Sequence, residues 1–232
     1  LKILKDGHVY SKEMEHDACG VGLIASTEGK KSRKVVEYGI KALKAVWHRG
    51  AVDADGKTGD GAGIHLEIPP DFFAEKIELT GHKHDGSEIC VGMVFLPRNN
   101  YAAQESSRTL IEAELTKSNF SIYGWRQVPV NPKVLGVKAN FTRPEITQVL
   151  FKHNDKTLHS KVLERKIYES RRKIEKEAIR NAIEGFYICS LSSKSIIYKG
   201  MFLAESIADF YVDLKDERFI SRFVIFHQRF ST

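Results

Sequence analysis

Residues 15–22 read Glu-His-Asp-Ala-Cys-Gly-Val-Gly, and they hold the side chain best set up for chemistry. Gly20 and Gly22 remove side chains beside the Cys19 sulfur, so a substrate or another backbone can come close to it. A thiolate at that position would be a nucleophile. The same residues also suit a buried strand whose glycines let a sheet pack. On Ala-Cys-Gly-Val-Gly alone the two readings stand level. The other thiols are of a different kind. Cys90 and Cys189 sit inside apolar, strand-like runs, where a thiol behaves as a small hydrophobe.

Three further stretches look like sites and fail on spacing or charge. GAVDADGKT, residues 50–58, ends like a phosphate-binding loop, but five residues rather than four separate Gly50 from Gly56. Asp53 and Asp55 would also repel a phosphate. GDGAG, residues 59–63, is not a dinucleotide fingerprint, because Ile64 stands where the third glycine belongs. His82 and His84 have the spacing of a metal pair, but His-x-His in a polar loop reads as a loop. No metal site is expected.

The elements that must position these residues can be read from periodicity. Residues 19–26 alternate and read as a short buried strand, and 35–48 carry apolar residues at helical spacing before an Arg49-Gly50 stop. Residues 53–63 form a glycine- and aspartate-rich loop, 64–69 a strand, and 71–79 a helix with Asp71 as its cap. Strands are expected at 88–97, 123–130, 145–153 and 222–230, and helices at 99–117, 160–183 and 204–214. Residues 185–193 and 195–202 read as a hairpin with serines at its turn. Strands that pair locally without a helix between them favour an α+β fold over a doubly wound parallel sheet.

Composition excludes several classes. Lys and Arg exceed Asp and Glu by 36 to 30, giving a net charge of +6. Much of that excess lies in 28–34 and in the helix within 161–180, where acidic residues are interspersed on the outer face. That pattern is a solvated helix face, so no nucleic-acid partner is expected. No apolar run reaches the ~18 residues of a membrane helix, and residues 1–18 lack the apolar block of a secretory signal. Three dispersed cysteines make no disulfide framework. The expected location is cytoplasmic, with no membrane partner. The chain begins with Leu and stops just after a strand-like run, so it is expected to be a fragment of something longer.

Longer motifs break the tie over Cys19. HDACGVGLIA, ALKAVWHRGAVDADGKTGDGAGIHLEIPPDFF, GWRQVPVNPKVLG, ERKIYESRRKIE, FYICSLSSKSIIYKGMF and HQRFST occur in this order. Together they resemble the amino-terminal glutaminase domain of the glutamate synthase large subunit, from about Tyr10 to Thr232. HRGA followed by TGDGAGI, with FYICSLSS, separates that family from other amidotransferases of the class. The resemblance implies an N-terminal-nucleophile hydrolase fold, a four-layer αββα sandwich with two antiparallel sheets, incomplete at its C-terminal end.

What the resemblance implies for the site is specific. Cys19 is the nucleophile and becomes the first residue of the mature enzyme, so residues 1–18 are a propeptide and 19–232 are the N-terminal part of the glutaminase domain. Arg229 matches the arginine that binds the α-carboxylate of L-glutamine, and Ser231 and Thr232 help to shape that pocket. Gly20, Arg49 and Gly50 are supporting residues. The family's Asn-Gly oxyanion pair and the aspartate that holds the substrate amine lie beyond Thr232. Losing one oxyanion donor costs roughly 10²–10³ in rate, so the chain by itself is expected to have little or no glutaminase activity.

The family also implies partners outside these residues. Its synthase half makes glutamate from 2-oxoglutarate with FMN and an iron–sulfur cluster, taking electrons from NADPH through a small subunit or from ferredoxin. No cofactor is expected within the chain itself, where three dispersed cysteines cannot ligate a cluster together. Two other readings stay open: the glutaminase domain of another class II amidotransferase, and a non-catalytic basic binding module.

Overall fold

The computed structural model describes residues 20–229, apart from the side chain of Arg49. Two four-stranded sheets carry the architecture, and every pairing in them is antiparallel. The first contains β1 (Gly20–Ala25), β2 (Ala62–Glu67), β7 (Ser195–Gly200) and β8 (Phe223–Gln228), in the order β1-β8-β2-β7. The second contains β3 (Cys90–Leu96), β4 (Phe120–Gln127), β5 (Glu145–His153) and β6 (Tyr187–Ser192), in the order β4-β5-β3-β6. Two antiparallel sheets with helices packed on them are the α+β arrangement expected. β4 and β5 are consecutive strands that pair, but most of the pairing is long-range, contrary to the expectation of several local pairs: β1 and β8 stand at opposite ends of the described chain.

The expected hairpin at 185–202 shows why. β6 joins the second sheet and β7 the first, so the turn between them carries the chain across. Ser192 Oγ accepts from the Lys194 and Ser195 N–H groups at 2.8 and 3.2 Å, and Glu164 accepts from the Ser193 N–H. The local turn signal was real. β6 pairs instead with β3 and β7 with β2, and the apolar residues that these pairings bury, among them Ile188, Ile196 and Tyr198, lie in the core.

β1 is an edge strand, not a buried one. Its residues alternate, and Val21 and Leu23 are 69% and 61% exposed. β4 starts three residues earlier than the pattern suggested and ends at Gln127.

Helix α1 (Arg33–Ala45) is capped by Ser32, whose Oγ accepts from the Val35 N–H at 3.3 Å. Val36, Ile40 and Leu43 recur at helical spacing and are buried. The helix stops three residues short of the predicted end, and a 3-10 turn, Trp47–Arg49, delivers Gly50. Helix α2 (Pro70–Glu78) begins on Pro70, with Pro69 at the cap position. Asp71, expected as the cap, lies in the first turn instead, because a proline at the first helical position is already set for it. Helix α3 (Tyr101–Lys117) is capped by Asn100. A short α4 (Val137–Thr142) precedes β5, and the expected helix at 204–214 is broken into 3-10 turns around α6 (Ile207–Phe210).

Helix α5 (Ser160–Arg180) buries Leu163, Ile167, Ile174 and Ala178. It carries an exposed Arg165–Glu169 pair at 2.9 Å and, at its border with β6, an Arg171–Glu175 pair at 2.8 Å, so its positive charge is partly answered on the same helix.

Two apolar clusters hold the elements together. The larger joins α1, the Phe72–Phe73 pair of α2 and facing residues of both sheets, among them Ile64, Tyr198 and Phe226 from the first and Met93 and Leu150 from the second. The smaller lies between the other face of the second sheet and helices α3 and α5. Between the sheets, Asp213 accepts from both terminal nitrogens of Arg126, and Gln148 and Tyr198 extend that buried network.

Candidate functional site

Three strands of the first sheet end together. Gln228, the last residue of β8, pairs with Gly20 at the start of β1 on one side and with Ala62 at the start of β2 on the other. Gly20 is the residue that follows Cys19, and Arg229 is the residue that follows Gln228. One end of one sheet therefore gathers the predicted residues Gly20 and Arg229, and Gly50 comes to the same place from the 3-10 turn.

Arg229 is held in an uncommon conformation. Its φ is +77°, in the left-handed region, which costs a non-glycine residue about 1–3 kcal/mol. Its N–H donates to the Gly61 carbonyl at 2.6 Å. Its Nε lies 3.3 Å from Asp60 Oδ2. So the consecutive residues Asp60 and Gly61 engage both the side chain and the backbone of Arg229.

The loop that presents Asp60 is braced at each end. Asp55 accepts from the Lys57 and Thr58 N–H groups and from the Thr58 hydroxyl, and these bonds hold its carboxyl far below the usual range. Lys138 pairs with Asp53 at 2.6 Å, the main reason the Asp53 carboxyl is also lowered. A Cβ at Gly59 would stand 2.7 Å from the backbone of Phe202, so the loop lies directly on that segment. These aspartates fold the loop.

Gly50 has no room for a side chain. A Cβ there would lie 2.0 Å from Gln228 Nε2 and 3.2 Å from Asp60 Oδ1. Gln228 is 1% exposed, and its Oε1 has no hydrogen-bond partner among the described residues. Both carboxylate oxygens of Asp60 are likewise shielded from water and without a hydrogen bond there. Buried acceptors without a hydrogen bond are uncommon, and of these Asp60 Oδ2 has the Arg229 Nε beside it. On the opposite face of β8, burial holds the His227 imidazole below its usual range, with Lys199 adding to the effect.

Cys19, Ser231, Thr232 and the expected propeptide 1–18 lie outside the described residues, and so does the side chain of Arg49. Asp60 and Gln228 were given no role from sequence. The available signals were a carboxylate between two glycines of one loop, and a glutamine directly before the arginine.

The remaining thiols are structural, as read from their apolar runs. Cys90 and Cys189 are buried, and burial pushes the first far above the usual thiol range and the second to about 12. They sit in neighbouring strands but in different apolar clusters. Among the described residues no group of three or more His, Cys, Asp or Glu side chains is arranged to hold a metal ion. The two described thiols, Cys90 and Cys189, do not converge on a shared point as cluster ligands would. His84, one of the two loop histidines, is engaged with the Ser87 carbonyl at 2.9 Å.

Comparison with known proteins now decides the family. The model of the class II glutamine amidotransferases matches residues 19–232. The chain belongs to this family. Among similar proteins of this family, the NADPH glutamate synthase large chain of Azospirillum brasilense is 55% identical over 229 residues, which is 99% of this chain and 15% of that protein. A ferredoxin-dependent glutamate synthase of a Synechocystis species is 39% identical over 94% of this chain and 14% of its own length. The NADPH glutamate synthase large chain of Bacillus subtilis is 37% identical over 97% of this chain and 14% of its own. This amidotransferase chain thus spans about one-seventh of the length of these relatives. The resemblance read from the motifs is to the same proteins. No helix among the described residues is long and apolar enough to cross a membrane.

Proposed function

We propose that this chain supplies the nucleophile, Cys19, and the carboxylate anchor of a site that hydrolyses the side-chain amide of L-glutamine in the longer polypeptide, once the peptide bond between Ala18 and Cys19 has been cut, and that the chain by itself turns over little or no glutamine. The observation that carries this reading is the register at the sheet end. Gly20, the residue that follows Cys19 in sequence, opposes Gln228, the residue that precedes Arg229. That the family match begins at Cys19 supports the same N-terminus.

The chemistry follows from the pKa of an α-amine, about 7.7–8.0, which leaves an appreciable fraction unprotonated near neutrality. Within an intact chain the Cys19 nitrogen is an amide and no base. Freed, it takes the thiol proton as the sulfur attacks the amide carbon of glutamine. The ammonium formed returns that proton to the departing nitrogen, so ammonia leaves and a thioester remains. Water then cleaves the thioester, releasing glutamate and restoring the thiol. Arg229 suits the substrate α-carboxylate, because a planar guanidinium can make two parallel charge-assisted hydrogen bonds. Gly20 and Gly50 keep the surroundings free of side chains, and Arg49, Ser231 and Thr232 complete the pocket.

In the longer protein the ammonia would be passed to synthase domains of the same polypeptide, which make glutamate from 2-oxoglutarate. FMN and an iron–sulfur cluster would be held there, with NADPH, through a small subunit, or ferredoxin as donor. The names of the relatives include both donors. Three dispersed thiols suit a reducing, cytoplasmic setting.

The test is made on the full-length polypeptide. Intact mass should show Cys19 at the N-terminus, and diazo-oxo-norleucine should label that residue and abolish glutamine hydrolysis. Full glutaminase activity in protein that still carries Leu1–Ala18 would refute the mechanism.

A further inference from the structure

We propose that Asp60 is a positioning residue that sets the orientation of the Arg229 guanidinium for the α-carboxylate of the substrate. This rests on the reading of Arg229 as the carboxylate anchor. An arginine side chain has four rotatable bonds, and a bidentate contact to a carboxylate needs the guanidinium plane fixed in advance. Asp60 supplies a fixed partner on one edge: its Oδ2 is 3.3 Å from Nε, the nitrogen nearest the stem. A partner at Nε restrains rotation of the whole group while the two terminal nitrogens lie on its far side.

Three features separate Asp60 from the other acids of its loop. Asp53 and Asp55 are used in folding the loop, through Lys138 and through Thr58. Asp60 has no hydrogen bond from its carboxylate to the loop or to any other described residue, although both oxygens are shielded from water. A carboxylate so placed is costly without a cation beside it, and Arg229 is a cation that the described residues place beside it. Finally, Asp60 cannot drift: the preceding Gly59 rests on the Phe202 backbone, and the following Gly61 carbonyl takes the Arg229 N–H at 2.6 Å. The left-handed φ of Arg229 is the conformation that brings its backbone and side chain onto two consecutive residues.

The experiment compares Asp60→Asn and Arg229→Gln, singly and together, in the full-length polypeptide. Three quantities are read: KM and kcat for glutamine, labelling by diazo-oxo-norleucine, which carries an α-carboxylate, and labelling by iodoacetamide, which carries none. Asp60→Asn should raise KM for glutamine by about tenfold, roughly one charge-assisted contact, with kcat changed much less. It should slow diazo-oxo-norleucine to a similar degree and leave iodoacetamide labelling of Cys19 unchanged. The double variant should bind glutamine no worse than Arg229→Gln alone, since the two residues act as one unit.

If Arg229→Gln raises KM and Asp60→Asn does not, the positioning role is wrong while the carboxylate anchor stands. Should Arg229→Gln leave KM unchanged, the anchor itself is wrong and the positioning role goes with it. Slowing of iodoacetamide by Asp60→Asn would mean that Asp60 maintains the site as a whole, which also overturns the proposal.

Discussion

Gly50 faces the side-chain amide of Gln228 so closely that a methyl group at position 50 would lie 2.0 Å from its nitrogen. The backbone at Gly50 is ordinary, with φ of −100°, so the demand for glycine is one of space alone. Gly50→Ala must push Gln228 aside and crowd Asp60, whose Oδ1 would lie 3.2 Å from the new methyl group. Overpacking of this kind costs about 1–3 kcal/mol. Glutamine kcat/KM of the full-length polypeptide should fall by at least about tenfold, and the urea midpoint should drop. Unchanged kinetics would mean that Gln228 can move aside freely.

Arg229→Lys keeps the charge and loses the fork. A lysine ammonium cannot offer two parallel donors from one plane, so KM for glutamine should rise about tenfold while iodoacetamide still reaches Cys19. An identical KM would show that a point charge is sufficient there.

The three thiols should differ in reactivity. Cys90 and Cys189 are buried and their thiols are raised by burial, so neither ionises near neutral pH. Iodoacetamide at pH 7.5, followed by peptide mass mapping, should modify Cys19 in the native protein and the other two only after denaturation. Cys90→Ala and Cys189→Ala should leave glutamine turnover within about twofold, whereas Cys19→Ala abolishes it. Rapid native labelling of Cys90 would contradict its place in the core.

Arg126 and Asp213 form a doubly hydrogen-bonded pair, at 2.6 and 2.8 Å, with side chains only 13% and 3% exposed. Asp213→Asn leaves a buried guanidinium without its counter-charge, which costs about 3–5 kcal/mol. A matched loss in denaturation free energy is expected, and a loss below about 1 kcal/mol would mean that water replaces the carboxylate there.

Acid should loosen the far end of the first sheet. Burial alone would raise the Glu67 carboxyl, but hydrogen bonds from the Arg222 side chain and N–H, with Lys31 nearby, take it below the usual glutamate range. A lowered carboxyl stabilises the fold above the unfolded-state value and loses that contribution as pH falls through the folded one. Denaturation midpoints should therefore decrease between about pH 5 and 3. Glu67→Gln should destabilise at pH 7 by about 1–3 kcal/mol and flatten that dependence. An unaltered acid limb in the variant would assign it to other carboxylates.

Much of the molecule was legible from local pattern. Ile40 and Leu43, or Leu163 and Ile167, announce buried helix faces by their spacing, and β5 matches its predicted bounds of 145–153. Propensity and periodicity are properties of a few neighbouring residues, so a single chain reveals them. The motifs around Cys19, Gly50 and Arg229 were legible too, and they pointed to the family before any geometry was known.

What the chain alone determined, then, was the family it belongs to and which short segments become helix or strand. Tertiary structure decided who meets whom. Turn serines at 192–193 fit a hairpin as well as a crossing, and only the apolar partners offered by β2 and β3 send β6 and β7 to different sheets. Asp53, Asp55 and Asp60 are alike in sequence, yet the fold spends two on the loop and sets the third beside Arg229, 169 residues away by number (229 − 60). The reason is physical: such contacts depend on burial and register summed over distant strands, quantities that no local window contains.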